Sequence, residues 1–188
     1  MSKVKENFIS SAKELKTTRN MVLCAMMAAL SIVLSYTTSI SITPHINIGF
    51  SGIPNRIVDF LFGPITGCIF GGMMDILKFF LKPNGAFFFG YTLSAMLASF
   101  IYGVLLYKRQ VKSWKFLLNL FLAEILVKIL INCCLNTLWS SMLSGKAFMV
   151  LLPARLIKNI LQIFVDTLIH YFVFLLFQKL RRYLLPNN

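Results

Sequence analysis

Apolar residues run through this chain in long blocks, and polar residues gather at the joins between them. A block of about 20 residues with few charges is long enough to cross a bilayer as a helix. The first block spans Met21 to Ile42, and "SITPHINIGFSG" follows as a loop marked by Pro44, Asn47 and Gly49. A second, from Ile53 to Phe62, is too short to cross upright, and "FGP" at Phe62–Pro64 separates it from a third, Pro64 to Leu81. After "KPNG" a fourth covers Phe87 to Tyr107, a fifth Phe116 to Leu143, and a sixth Pro153 to Leu180. The predicted fold is all-α: an integral membrane bundle of six transmembrane helices. Residues 1–20 form a polar N-terminal segment, 21–183 the membrane domain and 184–188 a short tail.

Composition agrees. Of 188 residues, 57% are hydrophobic and 13% charged, with a mean hydropathy of +0.76; soluble domains carry about a quarter charged residues. The polar N-terminus lacks the short apolar core of a cleavable signal peptide. The net charge of +13 raises nucleic acid as a partner, but the placement of the cations excludes it. Lys3, Lys5, Lys13, Lys16 and Arg19 precede the first span. Lys108, Arg109, Lys112 and Lys115 follow the fourth, and Lys179, Arg181 and Arg182 close the last. The intervening loops hold only Lys82 and Lys146. The positive-inside rule then puts both termini in the cytoplasm, as an even number of spans requires.

Nine charges remain inside the spans: Arg56, Asp59, Asp75, Lys78, Glu124, Lys128, Arg155, Lys158 and Asp166. Charges at such depth face the bundle interior and are functional candidates. Local spacing pairs Arg56 with Asp59, Asp75 with Lys78, and Glu124 with Lys128, either as neutralised structural couples or as site residues. Arg155 and Lys158 have no acid at such spacing and sit just inside the Pro153-marked start of span six. Snorkelling to headgroups is one reading. A bound anion is the favoured one, because it offsets both cations and the positive pole of the helix. In span five, Lys128, Asn132, Asn136 and Trp139 recur on one α-helical face. Amides that donate and accept, with an indole to stack on, suit a flat heterocycle; hydrogen bonding between helices is the bland alternative. Asp75 could read an aminopyrimidinone-like edge, and His45 lies in the first outer loop, where a lid would sit.

Other chemistry is missing. Cys24, Cys68, Cys133 and Cys134 lie in apolar runs without metal-ligand spacing, and no metal site or cofactor is expected. "SSMLSGKAF" lacks the leading glycine and trailing hydroxyl of a P-loop. No catalytic residues stand out, so the chain is expected to bind and move a solute without transforming it. Small residues form two ribbons, Ala25, Ala28 and Ala29 on span one and Gly63, Gly67 and Gly71 into span three. Both permit close helix approach. The glycines read as internal packing, and the alanines equally as a partner interface.

The alanine stripe, the short second span and "LFGPITGCIFGGMMDIL" resemble the substrate-binding S components of energy-coupling-factor (ECF) vitamin transporters. "NTLWSSMLSGKAFMVLLPARLIKN", with Asn159 beside the basic pair, is most similar to the folate-specific branch. The resemblance implies a multi-pass protein of a bacterial plasma membrane that captures folate or reduced folates outside. It implies delivery through a membrane coupling subunit, met by Ala25 and Ala29, and two ATPases. Folate would place its tail carboxylates at Arg155 and Lys158 and its pterin ring at Asn132, Asn136, Trp139 and Asp75. An S component for another vitamin or nucleobase, or a self-sufficient ion-coupled carrier of a small organic anion, are the alternatives.

Overall fold

The computed structural model of the protein describes the backbone of residues 3–14, 17–37, 39–43, 46–83 and 87–184, with side chains over 8–13, 17–37, 50–83 and 87–178. It is a helical bundle. Helix α1 (Lys3–Glu14) precedes α2 (Thr18–Thr37), and a hairpin of β1 (Ser39–Thr43) and β2 (Ile46–Gly49) leads into α3 (Ile53–Leu81). Then come α4 (Phe89–Leu106), α5 (Trp114–Leu126), a π-helical stretch (Val127–Leu135), α6 (Asn136–Ser144) and α7 (Phe148–Leu184). Among the described residues, five segments are long and apolar enough to cross a membrane.

The hairpin corrects the expected continuation of span one to Ile42. Residues 39–43 alternate serine or threonine with isoleucine, the period of a strand, and Ile40 pairs with Ile48 across the turn.

The two expected spans at 53–62 and 64–81 are arms of α3, which folds back at Gly63. Gly63 has φ 86° and ψ −169°, a conformation essentially reserved for glycine. Pro64 then opens the second arm, where its missing N–H costs nothing. The reversal brings Lys78 Nζ within 2.9 Å of the Ser51 carbonyl. A ten-residue arm rises only about 15 Å, roughly half a full span, and it ends at the reversal. A clasp from α1 holds the reversal. Ser11 Oγ donates to the Phe62 carbonyl (2.6 Å) and accepts from the Ile65 and Thr66 N–H groups, while Thr66 Oγ1 donates to the Ser11 carbonyl (2.7 Å). The free N–H groups of the second arm are thus capped by another helix. Tyr107 covers Gly63, and Gly103 packs directly on Pro64. Ser10, Tyr107 and Lys108 join the same cluster, so α1 and the basic loop after α4 share one end of the bundle.

Burial runs inside out. Ile157, Leu161, Phe164, Leu168 and Phe172 cover the exposed face of α7, whereas Asn159, Asp166 and His170 face inward. Buried Phe60, Phe116 and Phe174 form an aromatic plug near the clasp end, with ring centroids 4.9 to 5.8 Å apart.

Candidate functional site

Above this plug lies a cavity of about 290 Å³ bounded by α3, α4, the π-helical stretch, α6 and α7. The α3 fold-back supplies Arg56 and Asp75, and α4 supplies Tyr91, Ser94 and Tyr102. Lys128, Asn132 and Asn136 come from the span-five side, and Gln162, Asp166 and His170 from α7.

The π-helix shapes the span-five wall. The Asn136 N–H reaches back five residues to the Ile131 carbonyl, and such wide turns recur at functional sites. Lys128, Asn132 and Asn136 stay on the cavity side, but the phase shift takes Trp139 away from it. The Trp139 indole N–H donates to Ser94 Oγ (3.1 Å), and its ring packs on Phe88 over Gly90. Trp139 therefore positions a wall residue instead of forming the expected stacking surface. Asn136 Nδ2 donates to Asn132 Oδ1 (3.1 Å), whereas the buried Asn136 Oδ1 has no partner among the described residues.

Two of the three local charge pairs are replaced by partners across helices. Arg56 does bond Asp59 (2.6 Å), and its guanidinium lies 4.0 Å from the Tyr102 ring centroid. Lys128 pairs with Asp166 at 2.7 Å, not with Glu124, which instead bonds His170 Nδ1 at 2.7 Å. Asp75 accepts from Thr92 Oγ1 (2.7 Å) while Lys78 turns to Ser51. The widened helix from Val127 moves Lys128 off the α-helical register that would align it with Glu124, and the fold-back carries Ser51 to Lys78.

Arg155, Lys158 and Asn159 do not line the cavity. Helix α7 begins at Phe148, not at Pro153, so Arg155 stands roughly two turns inside it. That corrects the expected help from the helix pole, which fades within the first turn. Both basic residues are half-buried. Lys158 lies within electrostatic reach of Lys128, Arg155 and Asp166, and Asn159 is buried with its amide 3.1 Å from Cys133 Sγ. Arg155, Asn159, Gln162, Asp166 and His170 follow one helical strip, so Arg155, with Lys158 one turn along, continues the polar wall toward the end that carries the α6–α7 turn. That strip, extended past Asn159, was the available sequence signal for Gln162 and His170. Nothing local marked Tyr91, Ser94 or Tyr102, and Arg56 reads from sequence as half of an ion pair. His45 falls outside the described residues. Ala25 and Ala29 are exposed on α2, while Ala28 packs against the core.

A helical bundle with lipid-type apolar faces outside and ionisable groups around a closed-floored cavity is a membrane solute-binding protein. The family model described as "ECF transporter, substrate-specific component" matches residues 19–174, and the chain belongs to that family. It is 36% identical over 157 residues to a protein named folate transporter FolT from Clostridium novyi (strain NT), covering 84% of this chain and 88% of that one. A folate transporter FolT from Leuconostoc mesenteroides subsp. mesenteroides is 29% identical over 161 residues, covering 83% and 84%. Among solved structures, a crystal structure of FolT bound with folic acid superposes with a TM-score of 0.73 at 30% identity, covering 84% of this chain and 93% of that one.

Proposed function

We propose that this chain is the folate-capturing S component of an ATP-driven ECF importer in a bacterial plasma membrane. The observation that carries the proposal is the cavity wall of Asn132, Asn136 and Asp75, with a buried amide oxygen at Asn136 left for a guest. Amides and a carboxylate in this arrangement complement the mixed donor and acceptor edges of a pterin ring. The likeness to FolT proteins supports the same ligand. The glutamate tail points to the outer end, where Arg155 and Lys158 hold its two carboxylates, with Asn159 fixing the helix face beside them. His45, in the sequence between β1 and β2, is a further candidate contact for the ligand. The chain crosses the membrane six times, counting both arms of α3, with both termini in the cytoplasm. Exposed Ala25 and Ala29, with Ala28 beneath, meet a membrane coupling subunit, and two ATPases supply the energy. The chain itself catalyses nothing.

Equilibrium binding of radiolabelled folic acid to the purified protein tests this directly. Saturable binding, competed by reduced folates and not by a panel of other vitamins, is the expected result. Arg155→Ala and Asn136→Ala are each expected to weaken binding more than tenfold, about 1.4 kcal/mol. Displacement of the label by an unrelated vitamin at lower concentration than folic acid would reassign the substrate.

A further inference from the structure

At the inner end of the cavity His170 and Glu124 form a unit that the folate reading does not use. Glu124 is fully buried on α5 and stands behind the imidazole, outside the cavity lining, while His170 itself lines the cavity. The ring is held on several sides. Nδ1 lies 2.7 Å from Glu124 Oε1, the ring stacks on Phe174 (centroids 6.1 Å apart, 26° between planes), and the Tyr102 ring meets its edge at 6.4 Å. With Glu124 ionised, the carboxylate can only accept, and the imidazole proton is then on Nδ1 and the lone pair on Nε2. Carboxylates that orient metal-binding histidines fix the tautomer in the same way. The charged groups near the dyad already have partners: Arg56 is on Asp59, and Lys128 is on Asp166. Nε2 has no hydrogen bond among the described residues.

We infer that Glu124 and His170 are a fixed-tautomer dyad that presents an imidazole acceptor at the cavity floor to an N–H donor of the guest. His170 makes the contact, and Glu124 is a positioning residue that acts through it. Selection follows from the donor. A guest whose inner edge carries an amino or ring N–H gains a bond, and one with only acceptors there leaves two lone pairs opposed in a dry site. The inference rests on the folate reading, since a pterin edge supplies such donors.

The chain has two histidines, so 15N-histidine labelling of the full protein in detergent gives two ring systems, and a His45→Gln variant assigns them. His170 is expected to show the Nδ1–H tautomer, and saturating folic acid is expected to shift its Nε2 resonance while Nδ1 stays in place. Glu124→Gln should mix or invert the tautomer and weaken folic acid at least tenfold. His170→Asn keeps a donor for Glu124, and should bind at least tenfold more weakly with an unchanged melting temperature; His170→Phe, which keeps a ring against Phe174 and Tyr102 but offers no acceptor, replaces it if that variant does not fold. An Nε2–H tautomer in the unsubstituted protein, an Nε2 signal indifferent to folic acid, or full affinity in the folded His170 variant each overturns the dyad. Failure of the unsubstituted protein to bind folic acid at all overturns the folate reading instead, and the tautomer measurement still judges the dyad.

Discussion

Gly67 has no side chain because Asp59 fills the space where one would stand. A Cβ there would collide with the Asp59 carboxylate, which is itself tied to Arg56 in the cavity wall. Gly67→Ala is expected to destabilise the protein by about 1–3 kcal/mol, the range for overfilling a packed interior. It should also weaken ligand binding through Arg56. Thermal melting in detergent and a binding isotherm separate the two effects. The residue scale is also where sequence reasoning reached least far. A lone histidine inside an apolar run carries no hint that its partner lies 46 residues earlier, and Glu124 had a closer cation at Lys128. Proximity along a helix is a weak guide in a membrane interior, because each buried charge takes the best partner that packing offers from any direction. That Asn132, Asn136 and Asp75 would line a cavity was legible, because polar side chains in lipid-length helices have few reasons to exist.

Among elements, the π-helical stretch decides which side chains reach the cavity. Its wider turn keeps Asn132 and Asn136 on the wall and rotates Trp139 onto Ser94. Inserting an alanine after Leu130, an exposed residue within it, adds about 100° of helical turn and should turn both asparagines away. Loss of folic acid binding beyond detection, with the protein still helical by circular dichroism, is the expected outcome; retained affinity would show that the wide turn does not set the register. An extra residue in a helix leaves no mark in composition, and a 3.6-residue period assumed throughout misplaces everything beyond it. The breaks at Gly63 and at the basic loop were plain in sequence, since glycine–proline pairs and charge clusters interrupt helices for local reasons. The start of α7 was not, because Pro153 is tolerated within its early turns.

For the whole molecule, the clasp end and the basic loop lie together, and the hairpin and the α6–α7 turn lie at the other end. Lys146→Cys is expected to react with a membrane-impermeant thiol reagent in intact cells, and Lys112→Cys only after permeabilisation. The reverse pattern would invert the orientation. The succession of membrane-length helices was the most legible feature, because apolar lengths are matched directly to bilayer thickness. Ser11→Ala should cost about 1 kcal/mol or more, since it strips a cap from three peptide groups, and a lowered melting temperature reports it. That serine is synthesised and waiting on its side of the membrane before Gly63 leaves the ribosome. The N-terminal helix is thus in place to cap a reversal made some fifty residues later, and a chain shortened past Ser11 should insert its folded-back helix pair poorly, however intact its ligand-binding residues remain.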